Sequence, residues 1–394
     1  MNSFFILYKA EIAKIISKRA VWIAMAIGLI FVFLMGLTNL SSEGHISYVK
    51  SSRDTLSKLE GMEMNDDFLA DFQKDVTEEL KNNPDKYKAL MAYDPGTAFM
   101  NGANAIGKAS LFDGIYNVVR DRSLVETVTG ETFYEKMRED IISDGRELGA
   151  SDEEINVWLK EYDSIDKPIK YYYAESYSNI LDVWFFIGWV LFLNIAIALS
   201  GVFADEKTYR TDALILSAKK GRSTLCFSKI AAGVSVALFQ GVLIIGFLFG
   251  IMFAFFGAEG SAGMIQNIIP SSPWNITIGQ MVAIFILLAF ITTCFFAFTN
   301  MLLSHLTHSA VATMATHAAI LFAGLFNVPG KMGIIAKLWQ LRPTMALYYG
   351  TFCNTYRYGA MNNVQASVLA YGVCMVVFLS MLFVSYKNSQ VESR

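Results

Sequence analysis

Three groups of residues in this sequence have the types and spacing to do chemistry. The first imitates a phosphate-binding loop: Gly102 and Gly107 are separated by four residues and Lys108 follows. Such a loop needs a Ser or Thr after the Lys to hold magnesium, and a strand before it that feeds a helix. Here the next residue is Ala109 and no apolar strand precedes the string, so it does not read as an ATPase site. The second group is His305, His308 and His317. Histidines at i and i+3 share a helical face and can hold a metal, which would make the chain an intramembrane metalloenzyme. No Asp, Glu or Cys stands close in sequence to complete a ligand set, and loop polarity or helix packing accounts for the three more simply. The third group is Asp182, Asp205 and Glu259, each at the end of an apolar run. A carboxylate at mid-membrane marks an ion or proton path. These end positions reach water and speak against a self-sufficient proton-coupled carrier. The four cysteines (Cys226, Cys294, Cys353 and Cys374) show no metal or redox spacing.

The elements that must position such residues are membrane helices. The 394 residues are 54% hydrophobic and only 17% charged, too apolar for an ordinary soluble protein. Runs without Asp, Glu, Lys or Arg place six spans at 20–40, 183–204, 230–257, 276–303, 307–328 and 364–386, each long enough to cross a bilayer as helix. The fourth and fifth are the least separable, because 260–330 contains no charged residue. Their boundary rests on the polar patch 304–309, and a single longer hairpin is the alternative. The fold class is all-α and polytopic. Residues 1–19 read as an N-terminal amphipathic helix at the membrane surface, with Phe5, Tyr8, Ile12, Ile15 and Ile16 on one face and Lys9, Lys14 and Lys18 opposite. The apolar run that follows continues into a span without a small-residue cleavage site, unlike a signal peptide.

An even number of spans puts both termini on one side. Twelve Lys and Arg residues in the N-terminal helix, the loop 205–229 and the C-terminal tail make that side the cytoplasm. The last outer loop, 331–357, carries four, a mild violation. Residues 41–177 then form a large extracellular domain holding 28 of the 35 acidic residues and 16 of the 32 basic ones. Its clearest helices are 65–80, 132–148 and 151–162, the last opened by a Ser151/Glu154 capping box. It has no Cys, a usage that suits the plasma membrane of a Gram-positive bacterium. Gly246 and Gly250 form a small-xxx-small pattern that favours packing within the chain over a dimer contact. Tyr171, Tyr177, Trp184, Trp274, Trp339, Tyr348 and Tyr349 read as interface anchors.

The most telling element is the loop 205–229 between spans two and three, DEKTYRTDALILSAKKGRSTLCFSK, with six Lys/Arg against three Asp/Glu. A short knob with apolar Leu214, Ile215 and Leu216 can fill a groove on a soluble partner, while Arg210 and Arg222 pair with charges at its rim. Direct attachment to two spans turns motion of that partner into helix tilting. With the six-span frame and the surface helix, the membrane part resembles the permease subunit of the type-2 ABC exporter family. In that family the second span ends in an acidic residue. Gly-Thr, a Leu-rich turn ending in Ser, a Pro and an Arg follow, and a Lys precedes the third span. The matching residues are Glu206, Thr211, Leu214, Leu216, Ser217, Arg222 and Lys229, while Arg210 stands where the Gly would be and Lys219 where the Pro would be. The resemblance covers the membrane part and not the outer domain.

The resemblance implies a transport subunit rather than an enzyme: an exporter permease of the plasma membrane, driven by two copies of a separate ABC ATPase. Substrate would pass between two permease copies, in a homodimer or a heterodimer. The chain would carry no cofactor, ATP being bound by the partner, and would contact lipid but no nucleic acid. The residues it assigns to ATPase coupling are Glu206, Arg210, Thr211, Leu214, Leu216, Ser217 and Arg222, in a membrane domain spanning 178–394. Drugs, peptides, lipids or ions are all possible cargo. Beside the metalloenzyme, one further class is a sensor or immunity subunit whose outer domain captures an extracellular peptide.

Overall fold

Apolar runs become helices in lipid because a helix satisfies its own backbone N–H and C=O groups where no water can. The computed structural model describes residues 3–42, 46–211, 223–326 and 328–388. The chain opens with α1 (Ser3–Ile16) and α2 (Arg19–Ser42). A helical unit follows, made of α3 (Ile46–Leu56), α4 (Asp66–Asn82), α5 (Pro84–Tyr93), α6 (Pro95–Ala105), α7 (Ala109–Val119), α8 (Arg122–Val125), α9 (Gly130–Leu148) and α10 (Asp152–Asp163). Apolar helices resume with α11 (Glu175–Leu199), continued by α12 (Gly201–Thr208), then α13 (Thr224–Phe256), α14 (Ile278–Thr307) and α15 (Ala310–Ala323). Two short helices, α16 (Ile334–Gln340) and α17 (Pro343–Ala346), and a hairpin of β1 (Arg357–Tyr358) and β2 (Met361–Asn362) precede α18 (Asn363–Asn388). The hairpin is antiparallel and pairs Arg357 with Asn362.

Among the described residues five helices are long and apolar enough to cross a membrane: Arg19–Ser41, Glu175–Thr208, Thr224–Phe256, Ile278–Thr307 and Asn363–Asn388. They overrun the uncharged runs. The expected 183–204 extends to 175–208, taking in Glu175, Asp182, Asp205 and Glu206, and 230–257 begins at 224 and takes in Lys229. Charges ended the runs in sequence but not the helices, because each is placed near a helix end where it finds a partner or a cavity. In the 18-residue apolar stretch of Glu175–Thr208, 67% of the residues are buried by the rest of the chain, against 17% in that of Asn363–Asn388. The former is therefore the axis of the bundle and the latter lies at its edge.

The expected fifth span, 307–328, is shorter in the structure. His308 takes a left-handed conformation (φ 55°) and ends α14, and Ser309 caps α15, accepting from Ala312 N at 3.3 Å. The polar patch therefore does separate the fourth and fifth helices. But α15 has 14 residues, roughly 21 Å of helix against the ~30 Å of a hydrocarbon core. It stops at Gly324, whose carbonyl accepts a hydrogen bond from Arg342 Nε at 2.8 Å. A side chain 18 residues ahead takes the acceptor that the next helical turn would have used.

The unit formed by α3–α10 has its own core, from Leu56 through Phe72, Phe99, Phe112 and Ile141 to Tyr173. Asn65, Asp94, Thr129 and Ser151 each cap a helix, and the Ser151/Glu154 capping box is present. This unit sits on the loops at one end of the bundle. Lys337 Nζ lies 2.5 Å from Glu154 Oε1, Arg357 N donates to the same oxygen at 2.8 Å, and Trp158 Nε1 donates to Thr355 O at 3.0 Å. Arg53 pairs with Glu259, and Asn267 accepts from Tyr172 N at 3.1 Å.

Two sequence readings change. Tyr171, Tyr177 and Trp184 are buried in the cores instead of lying at an outer boundary, because the helical unit covers that end of the bundle. Among the described residues nothing lies within 4 Å of where a Cβ of Gly246 or Gly250 would stand, so neither packs against another described helix.

Candidate functional site

The two ends of the loop 205–229 meet inside the protein. Lys229, on the second turn of α13, is fully buried. Its ammonium lies 2.8 Å from Glu206 Oε1 and 3.1 Å from Glu11 Oε2, and donates to Val202 O at 3.0 Å. Glu206 is 4% exposed and also accepts from the Tyr386 hydroxyl at 3.3 Å. One cation thus ties α1, α12 and α13 together, and Glu206 adds α18. Beside them Lys18 pairs with Asp205 at 2.8 Å. A buried charge is costly unless paired and hydrogen-bonded, and here the Lys229 ammonium has two carboxylates and a backbone carbonyl within reach. Burial, and next the Lys229 charge, pull the Lys14 ammonium below its ordinary range, with Glu11, Glu206 and Asp205 opposing.

The sequence pattern missed Glu11. Apolar periodicity in α1 assigns its buried face to Phe5, Tyr8, Ile12, Ile15 and Ile16, yet Phe5 and Ile16 are exposed while Glu11 and Ile15 are buried. Tyr8 donates to Ser235 Oγ at 2.8 Å. The one signal available was an acidic residue within a basic helix, seven residues before Lys18.

A second feature lies one turn above. The helical ladder breaks at Ser200, between α11 and α12. Ser304 Oγ, on α14 and fully buried, donates to Ser200 O at 2.6 Å. It accepts from Phe203 N at 3.1 Å and Ala204 N at 3.0 Å. A side chain inserted into the i to i−4 ladder is a recognised cause of a helix break, and this one stands directly between the bundle axis and the loop.

The loop leaves α12 through Arg210, whose φ is 55°. Thr211 N closes the turn on Glu206 O at 2.8 Å. This is the left-handed conformation that glycine adopts freely and other residues at a cost. The position where Arg210 replaces Gly therefore keeps a glycine-type backbone. Arg210 and Thr211 are exposed. Leu214, Leu216, Ser217 and Arg222 lie outside the described residues.

A profile described as ABC-2 family transporter protein matches residues 5–391. The chain belongs to the ABC-2 transporter family. No curated protein and no solved structure matches it. As an ABC-2 permease the chain is a multi-pass membrane transport component, in a family that works with an ABC ATPase subunit.

The remaining motifs of this ABC-2 protein have other partners in the structure. Gly102 and Lys108 lie on a helix–turn–helix with Gly107 in the turn (φ 73°), and Lys108 Nζ pairs with Asp75 at 2.6 Å. His305 and His308 have ring centroids 6.0 Å apart, but His305 Nε2 is engaged by Ser385 Oγ at 2.9 Å and His317 faces Asn300. Among the described residues no group of three or more His, Cys, Asp or Glu is placed to hold a metal ion, so the metalloenzyme alternative gains no support.

Proposed function

We propose that this chain is the permease of an ATP-driven exporter, with the loop 205–229 as its cytoplasmic contact for the ATPase. The observation that carries this reading is the Glu206–Lys229 ion pair, which clamps both ends of the loop to α1 and α18. A loop anchored in this way transmits a push to four helices at once, whereas a slack connector would absorb it. Glu206 then acts as a positioning residue from within. Leu214, Leu216, Arg222, Ser217, Thr211 and Arg210 belong to the contact itself, with apolar groups in a groove and charges at its rim.

Six crossings, with both termini in the cytoplasm, fit the contacts at the two ends of the bundle. Glu11, Glu206, Lys229, His308 and Tyr386 gather at one end, with Lys207 Nζ 3.1 Å from His308 Nε2. Residues 149, 154, 330, 337 and 357 gather at the other. The chain running from Ser309 to Gly330 joins the two ends, so α15 and the residues after it serve as the fifth crossing despite the short helix. On this topology residues 41–177 are extracellular. Two permease copies with two ATPase copies complete the transporter in the plasma membrane, and substrate passes outward between the permeases.

The test is copurification of the partner ABC ATPase when the two are coexpressed. Wild type should retain the ATPase, and Arg222→Glu or Leu214→Asp should lose it. Retention by both variants with full ATP-driven transport would remove the loop from the coupling path.

A further inference from the structure

A cavity of about 540 Å3 lies where the end of α9 in the helical unit meets the chain between α15 and α18. Ligand pockets typically span ~300–1,000 Å3, so one or two small rings fit. Two amides line it that are themselves almost wholly buried: Asn354 is 4% exposed and Asn363 is 2% exposed. Asn354 Oδ1 accepts from Tyr356 N at 2.8 Å, and a bond from a backbone donor fixes which way the amide points. Its Nδ2 then has no partner among the described residues, and unlike a fully enclosed atom such as Gln266 Oε1 it retains open surface. Asn363 Oδ1 accepts from the Tyr358 hydroxyl at 3.4 Å, which leaves its Nδ2 as a second donor on the same terms. A buried donor left unmade is costly, and an acceptor inside the cavity would satisfy both.

The charges around these amides nearly cancel. Among the described lining residues Arg120 stands against Asp144 and Glu147. Its guanidinium lies 3.5 Å from Asp140 and 3.9 Å from Asp144, and is thus already shared between carboxylates. A phosphate or sulfate would have to compete with those acids for one arginine, and an amine would meet that arginine beside them. A neutral ligand rich in hydroxyls meets neither obstacle. Each hydroxyl donates once and has two acceptor lone pairs, so it can accept from an amide and donate to Asp144 or Glu147. Tyr348 and Tyr349 line the same space with ring centroids 4.5 Å apart, and Tyr349 is 38% exposed. A tyrosine offers a flat apolar face to the C–H side of a sugar ring and a hydroxyl at its edge. A peptide would be held by pairing along a free strand edge, whereas these walls are helix ends and loops.

We propose that this cavity binds a neutral sugar. Asn354 and Asn363 donate to its hydroxyls, Asp144 and Glu147 accept from others, and Tyr349 covers a ring face. The walls come from both the helical unit and the bundle, so an occupant fastens the one to the other. The cavity lies at the opposite end of the bundle from the loop 205–229, so its failure would leave the transport reading untouched.

The test uses purified full-length protein in lipid nanodiscs, titrated by saturation-transfer NMR with glucose, galactose and N-acetylglucosamine. Cyclohexanemethanol, glucose 6-phosphate and triglycine serve as the apolar, anionic and peptide comparisons. At least one sugar should saturate below about 10 mM and bind about tenfold or more tighter than each comparison. Asn354→Asp keeps the acceptor for Tyr356 N and removes the donor, and should weaken that sugar about tenfold. Tyr349→Ala, at an exposed position, should weaken it about fivefold with an unchanged melting temperature, and decides the matter if Asn354→Asp fails to fold. No sugar saturating by about 10 mM, or a sugar affinity unchanged in Tyr349→Ala and in folded Asn354→Asp, would overturn the proposal. Equal or tighter binding of cyclohexanemethanol, glucose 6-phosphate or triglycine would overturn it in favour of an apolar, anion or peptide site.

Discussion

Glu206 and Lys229 lie 23 positions apart in sequence, and their side chains meet at 2.8 Å in the interior of the bundle. Between them runs the loop proposed as the ATPase contact, and the pair closes its two ends. Glu11 holds the other side of the same ammonium at 3.1 Å, which brings the N-terminal helix into the clasp.

Removing the cation should be the most damaging change here. Lys229→Met leaves Glu11 and Glu206 buried without compensation, a loss of about 3–5 kcal/mol for a broken buried pair. The measurement is the melting temperature of purified protein. Because the partners share one network, adding Glu206→Gln to Lys229→Met should cost less than the two single losses combined, with a coupling of about 0.5–3 kcal/mol. Strict additivity would mean that the pair is not coupled.

Arg210→Gly should be stabilising or neutral, because relief of the left-handed strain, roughly 1–2 kcal/mol, offsets the greater flexibility of glycine in the unfolded chain. Arg210→Val should be clearly destabilising at the same φ. Thermal unfolding of the two variants separates this from a side-chain role, since loss of a contact would make Gly and Val equally harmful.

Ser304→Ala should cost about 1–3 kcal/mol, because the N–H groups of Phe203 and Ala204 lose their acceptor inside the bundle. Ser304→Thr keeps the hydroxyl and should retain more of the stability. Should Ser304→Ala melt like wild type, the break at Ser200 does not depend on that hydroxyl.

Much of this was legible in the sequence, and the exceptions have physical reasons. The apolar runs announced the long helices, and Ser151 with Glu154 announced the start of α10. Helix ends were misjudged where a charge found a partner further along the chain, as Lys229 does on Glu206. The length of α15 depends on Arg342 reaching back to Gly324, a contact that no local pattern carries. Ser304 looked like a loop residue in the patch 304–309, and only the neighbouring α11 and α12 reveal what its hydroxyl does. The anionic partner on α1 was hidden because apolar periodicity says nothing of a buried Glu. The loop residues Arg210 and Thr211 were named from the resemblance, but the left-handed turn at Arg210 needed coordinates.

Docking of the helical unit should weaken in acid. At Glu154, burial favours the neutral acid, but the Lys337 ammonium and the N–H groups of Ser151 and Arg357 outweigh it and hold the carboxyl below its ordinary range. A folded-state pKa below the unfolded value contributes stability that is complete above the unfolded value, near 4.5. It is lost as pH falls through the folded pKa. Limited proteolysis between the unit and residues 328–357 should therefore accelerate below about pH 4.5, and Glu154→Gln should remove that pH dependence. A pH response unchanged in Glu154→Gln would assign the acid step to another group.

The most direct test of the coupling role is the amount of ABC ATPase that copurifies with loop variants that still insert in the membrane. Leu214→Asp places a charge in a dry groove, and Arg222→Glu reverses a rim charge; each costs several kcal/mol in a buried contact. Both should reduce the bound ATPase about tenfold or more at wild-type membrane levels, while Lys387→Glu, at the exposed end of α18, should leave it unchanged. Full ATPase binding and transport in both loop variants would contradict a coupling role and leave 205–229 as a connector between two spans.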